Sequence, residues 1–191
     1  PKVKEEAMRI IFIACLLVSV PLLALAQGGH IGLYTDAAGG GCDLDDAAQG
    51  IVDIYVVHKN TPGAAACQFM VQPSIGFTAT HVGDATDYLF IGNSQTGISI
   101  AYMECLAAPI NVMTISYLFD GTSSACGYLE VVPDPAAIPS AILVVDCAEP
   151  FAHKLVATGG RVYVNADGSC PCQAPVPVQN ETWGGIKALY R

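Results

Sequence analysis

The chain of 191 residues carries 8 Lys and Arg against 17 Asp and Glu, a formal net charge of −9, with 52% hydrophobic residues, 8 cysteines and 12 prolines. Cations this few and this scattered exclude nucleic acid and anionic membrane surfaces as partners, since both demand clustered Lys and Arg. The acidic surplus reads as solubility outside the cell.

The first segment reads as an export leader. The seven residues before Met8 look like an over-extended reading frame. Arg9 supplies a minimal positive region, Ile10 to Leu25 an apolar stretch broken by Pro21, and Ala24-Leu25-Ala26 a small-x-small cleavage site. Cleavage is expected before Gln27. A membrane anchor is not expected, because Ile10 to Val20 offers 11 residues where a span takes about 20. Cys15 lacks a lipobox. Residues 1–26 are thus a leader with a signal helix, 27–173 a β-sandwich domain, and 174–191 a linker and tail. Removing the leader leaves 191 − 26 = 165 residues, with 8 − 3 = 5 basic and 17 − 2 = 15 acidic side chains, net −10.

The domain then reads as short strands. Gly29 to Thr35 alternates Ile31, Leu33 and Thr35, and a loop over Asp36 to Gly50 holds Gly39-Gly40-Gly41-Cys42 and three aspartates. Ile51 to His58 is expected to set Val52, Ile54 and Val56 on the core face, with Asp53, Tyr55 and Val57 opposite. Ala64 to Val71 is read as a strand, because Pro62-Gly63 and Pro73 leave too few residues between them for a stable helix. Ile75 to His81 is a further strand and Gly83 to Asp87 a turn.

The clearest pattern runs from Tyr88 to Phe119. Tyr88 to Ile91 and Ile98 to Met103 flank the polar turn Gly92 to Gly97 and predict a hairpin. Past Pro109, Ile110 to Phe119 should place Met113, Ile115, Tyr117 and Phe119 on one face, with Val112, Thr114, Ser116 and Leu118 on the other. Cys126 to Val132 and Ala141 to Asp146 follow, around a proline-rich surface connection from Pro133 to Pro139. Leu155 to Ala157 and Arg161 to Val164 are expected to close the domain as a hairpin. Nine or ten strands without a core helix define the expected class: all-β, a two-sheet antiparallel sandwich of jelly-roll or immunoglobulin-like type, stapled by disulfides.

Seven cysteines remain after the leader, so one is unpaired or shared between molecules. The expected pairs are Cys105 with Cys126, Cys147 with Cys170, and Cys42 with Cys172. Cys67, in an apolar segment, is the expected buried free thiol.

Part of this order resembles a known family. Cys67-Gln68-Phe69-Met70-Val71, the Val82-Gly83 step, Gly97-Ile98-Ser99-Ile100-Ala101-Tyr102 and Pro109 to Ile115 look like the middle of cohesin-type jelly-roll sandwiches. The tail Thr182-Trp183-Gly184-Gly185-Ile186-Lys187-Ala188-Leu189-Tyr190-Arg191 resembles tails of uncharacterised exported bacterial proteins, which implies a sorting or docking tag. Neither resemblance brings a catalytic residue. Within the tail, Trp183, Ile186 and Tyr190 stand at i, i+3 and i+7, the spacing of a short amphipathic helix that docks on the sandwich or on a partner.

Three constellations invite chemistry. Gly92-Asn93-Ser94-Gln95-Thr96 has the look of a nucleophile elbow, with Asp146 and His153 following in hydrolase order. An elbow needs Gly where Thr96 stands and a helix where a strand pattern follows, so a plain hairpin turn is the reading taken. Asp43, Asp45 and Asp46 are candidate calcium ligands, but the spacing of a calcium-binding loop fails at Ala47, and a solvated acidic loop is expected. Cys170-Pro171-Cys172 lacks the spacing of a redox or zinc motif. His30, His58, His81 and His153 show no ligand spacing. Asn180-Glu181-Thr182 matches a glycosylation sequon, expected unmodified in a bacterial chain.

The expected function is therefore an exported, non-enzymatic module at the cell surface or beyond, structural, adhesive or assembling, with no cofactor. Its expected partner is a protein or cell-envelope component reached through the tail. The alternative is a carbohydrate-binding module using Tyr34, Tyr55, Tyr88, Tyr102, Tyr117, Tyr128 and Tyr163 as an aromatic platform.

Overall fold

Alternation of β-branched and aromatic residues with small or polar ones builds strands throughout. The computed structural model describes residues 28–150 and 152–170, and every regular element among them is a strand. In chain order these are β1 (His30–Tyr34), β2 (Asp43–Leu44), β3 (Gly50–Lys59), β4 (Ala64–Pro73), β5 (Thr80–Ala85) and β6 (Leu89–Asn93). Then come β7 (Gly97–Leu106), β8 (Ile110–Phe119), β9 (Gly127–Val132), β10 (Ile142–Asp146), β11 (Lys154–Gly159) and β12 (Arg161–Val164). The signal helix and the helical tail expected at the two ends lie outside the described residues.

The strands form an all-β sandwich. One sheet runs β5–β8–β3–β1, antiparallel throughout. In the other, β6 pairs β7, β7 pairs β4, and β4 pairs β10 along Ala64–Gln68 and β9 along Met70–Pro73. β9 and β10 thus lie end to end, with the proline-rich segment 133–141 looping out between them. β11 and β12 continue alongside in the same manner, β11 on β10 and β12 on β9. They do not pair with each other, so the expected closing hairpin is absent: Gly160 lets one nearly continuous strand follow both partners. Two parallel pairings complete the ladder, β1 on β11 through His30↔Thr158 and β12 on β2 through Tyr163↔Asp43.

The core lies between the sheets. Ile31, Leu33, Ile54, Val56, Phe69, Ile115, Phe119, Leu129, Val162 and Val164 are essentially fully buried, and each such side chain contributes roughly 1.5–3 kcal/mol relative to exposure. The ring of Phe77 packs edge-on against Tyr117 and Phe119, with centroids 5.2 and 5.6 Å away.

Two local departures from strict alternation have a shared cause. Val57 is as buried as Val56, and Val112 as buried as Met113, although period two assigns each pair to opposite faces. The β3–β8 register shifts between Val56 and Val57, and such a bulge re-aims the side chains next to it.

The expected strand over Ile75 to His81 is also displaced. Residues 74–77 form a turn in which Phe77 N–H donates to Ser74 O, and pairing to β8 begins only at Thr80. Of the expected turn Gly83 to Asp87, Gly83 to Ala85 therefore supply the second half of β5.

Candidate functional site

The outer face of the β6–β7–β4–β10–β11 sheet is built by cross-strand register. One row across it is Leu89, Ala101, Ala66, Val145 and Lys154. The adjacent row is Ile91, Ser99, Gln68, Leu143 and Val156. Small residues in the middle and branched ones at the margins make a trough of about 240 Å³. Leu89, Ile91 and Val156 are 64%, 78% and 58% exposed, which places these apolar side chains at the ends of the rows in water. Leu143, on the floor, is buried but stands apart from the main core cluster.

Lys154 is the one charged residue lining the trough, and among the described residues it has no carboxylate partner. Gln68 Nε2 donates to Asp134 Oδ2 at 2.8 Å, so the 133–141 loop is tied down over the sheet beside the trough. At Ala101 the trough meets a second, polar hollow that carries Glu104, Asp146 and Glu149 beside the Cys105 disulfide.

The cysteines pair differently from the expectation. Cys105 bonds Cys147 and Cys126 bonds Cys170, in place of Cys105–Cys126 and Cys147–Cys170. The reason is the sheet. Ala64 lies opposite Leu106 on β7 and Asp146 on β10, which brings the ends of those two strands to Gly63. A Cβ at Gly63 would stand 2.9 Å from Cys105 Sγ and 3.2 Å from Cys147 Sγ. Cys126 in turn lies at the start of β9, where its N–H donates to Asn165 O, next to the turn that carries Cys170. Cys42 is disulfide-bonded; Cys172 lies outside the described residues. Cys67 is free and buried, and burial pushes its thiol up to about 12 despite a hydrogen bond with Tyr102.

Two of the three hydrolase candidates meet. His153 Nδ1 lies 3.2 Å from Asp146 Oδ2. Ser94 is fully buried at the hairpin turn, and its hydroxyl donates to Asp84 Oδ1 at 2.7 Å while its N–H donates to Asp84 Oδ2. With Asp84 engaged by both Ser94 and His81, the serine is a turn-anchoring group. The turn itself depends on glycine: Gly92 and Gly97 have φ of 92° and 122°, and a Cβ at Gly92 would stand 2.2 Å from Gly97 O.

The three calcium candidates do not converge. Asp46 is buried and accepts N–H bonds from Gly121 and Ser123, Asp43 accepts from Ala166 N–H, and Asp45 is exposed. The group among the described residues whose donor atoms do cluster is Cys126, Asp167 and Cys170, two of whose sulfurs are already joined as a disulfide. The histidines disperse as well: His30 to Thr158, His58 to Gly28, His81 to Asp84 and His153 to Asp146.

Among the described residues the tyrosine ring contacts are tilted or edge-on. Tyr34, Tyr102 and Tyr117 are buried. Tyr128 and Tyr163 meet edge-on at 6.0 Å with the Arg161 guanidinium over one ring. Trp183, Ile186 and Tyr190 lie outside the described residues.

The trough itself was missed by sequence reasoning. The run Tyr88-Leu89-Phe90-Ile91 reads as one strand of a half-buried hairpin; the pairing of β6 with β7 alone, at the sheet margin, leaves Leu89, Phe90 and Ile91 exposed.

No protein-family model and no characterised protein sequence matches the chain. Solved structures do. A chain of the CaDoc0917–CaCohA2 complex is similar at 16% identity and a TM-score of 0.45, over 71% of this chain and 98% of that one. A cohesin module of a family 33 glycoside hydrolase from Clostridium perfringens is similar at 10% identity and 0.43, over 73% and 98%. The seventh ScaB type I cohesin from Pseudobacteroides cellulosolvens is similar at 9% and 0.41, over 77% and 97%. The resemblance to cohesin-type sandwiches is thus found in structure as well as in strand order. With TM-scores below one half, the functional reading rests on this chain's own geometry.

Proposed function

We propose that the chain is an exported, non-enzymatic β-sandwich module of adhesive or assembly type, which holds a protein partner in the apolar trough of the β6–β7–β4–β10–β11 sheet. The carrying observation is the trough. Its two rows span five strands with one charge, and leaving Leu89, Ile91 and Val156 in water forgoes roughly 1.5–3 kcal/mol each. An exposed apolar surface of this kind marks an interaction site. The fitting partner presents an amphipathic segment whose apolar stripe fills the trough and whose polar face stays in water. The disulfides support residence outside the reducing cytoplasm. The sealing of Ser94 against Asp84 supports a binding role over a hydrolytic one. A glycan partner, the alternative reading, would seat on tyrosine or tryptophan rings, and the trough has neither.

Peptide display against the full chain tests this. Enriched peptides are expected to carry apolar residues at helical or strand spacing and to lose binding about tenfold or more when Leu89 and Ile91 both become Asp. Peptide binding indifferent to those changes, or glycan binding lost on replacing Tyr128 and Tyr163, removes the reading.

A further inference from the structure

We propose that the trough is filled by the chain's own residues 180–191, with Trp183, Ile186 and Tyr190 seated on it, so that a partner must displace them. The proposal rests on the reading of the trough as a docking face and names its resident occupant.

The chemistry of the two surfaces corresponds. Trp183, Ile186 and Tyr190 make one apolar stripe when helical, and the trough is an apolar channel of small central and branched marginal residues. Charges match at both borders. The tail carries Lys187 and Arg191 on an otherwise acidic chain, and the hollow that joins the trough at Ala101 presents Glu104, Asp146 and Glu149. Glu181, two residues before Trp183, is the tail's one acidic side chain and complements Lys154 on the trough.

The tail also reaches. The last described residue, Cys170, is held beside the start of β9 by its bond to Cys126. The trough floor at Leu143 lies about 24 Å further along β4, on β10 in line with β9, and the β6 margin of the trough about 14 Å to the side of that line. Trp183 follows Cys170 by 13 residues and Cys172 by 11, and 11 extended residues cover about 36 Å or more. A segment tethered on a linker of this length sees its site at an effective concentration on the order of millimolar. Docking too weak to detect between separate molecules is therefore enough to fill the trough.

Trp183 is the single tryptophan, so its emission reports this contact in the full chain. Emission is expected at short wavelength, with weak acrylamide quenching, and both independent of protein concentration. Changing exposed Leu89 and Ile91 to Asp should leave the melting transition in place, reduce the docked population about tenfold and move emission and quenching to those of the free 180–191 peptide. Replacing Lys187 and Arg191 by Glu should move both readouts the same way. A water-exposed Trp183 in the unaltered chain overturns the proposal, as does emission indifferent to the Asp substitutions. A blue shift that vanishes on dilution also overturns it, since the tail would then be exchanged between copies. If Trp183 proves exposed while the Asp substitutions still abolish binding of displayed peptides, the resident tail fails and the docking face stands.

Discussion

His58 shows how a polar side chain is made safe inside a β-core and what that costs when the pH falls. It is fully buried, its Nε2–H donating to Gly28 O at 2.6 Å while Nδ1 faces the Tyr102 hydroxyl at 3.4 Å. Burial holds its pKa below 6.5; burial, with Lys59 and His58 adding to it, does the same to His30. Both are therefore neutral when folded and take up a proton more readily when unfolded. Stability is at its full value above pH 6.5 and declines as the pH drops below it toward the depressed folded values. The carboxylates act lower down. Asp36, held below 3.8 by N–H bonds led by Gly40, and Asp146, held there first by His153 N–H, lose their contribution only as the pH falls below about 3.8. Urea midpoints measured from pH 7.5 to 5 should fall, and His58→Gln, which keeps an N–H donor for Gly28, should flatten that slope. An unchanged slope in the variant would show that His58 does not carry the effect.

Strands were more legible than their neighbours. Ala64 to Val71, the hairpin around Gly92 to Gly97 and Ile110 to Phe119 all appear where alternation and Gly/Pro punctuation placed them, because those signals are local. Pairing is not local. Cys105 and Cys126 bracket β8 in sequence, yet β8 joins β3 and β5 in the opposite sheet while Cys105 at the end of β7 meets Cys147 at the end of β10. That link closes a loop with a sequence separation of 42, and a loop of that size corresponds to about 4 kcal/mol of lost unfolded-state entropy. Cys105→Ala with Cys147→Ala should lower the unfolding free energy by most of that amount, measured by urea titration. A loss below about 1 kcal/mol would show that the strand ends are held by β4 pairing alone.

The sandwich is completed by its most distant parts. β1 opens the described chain and pairs with β11 through His30↔Thr158, while β12 supplies Val162 and Val164 to the core and pairs with both β9 and β2. With the β10–β11 pairing, four ladders of backbone donors and acceptors thus wait on residues 154–164, and each unpaired buried group costs about 1–3 kcal/mol. Since a domain's net stability is about 5–15 kcal/mol, loss of β11 and β12 exceeds what the remaining packing can offset. The same dependence explains why the trough could not be read from the sequence: its rows exist only once β6, β7, β4, β10 and β11 stand side by side. A chain ending at His153 should show no cooperative thermal transition and no near-ultraviolet circular dichroism. The full chain with Cys126 and Cys170 both changed to Ser should keep both signals, which separates loss of the strands from loss of the Cys126–Cys170 bond. A cooperative melt in the shortened chain would mean that the sheets close without their last two strands.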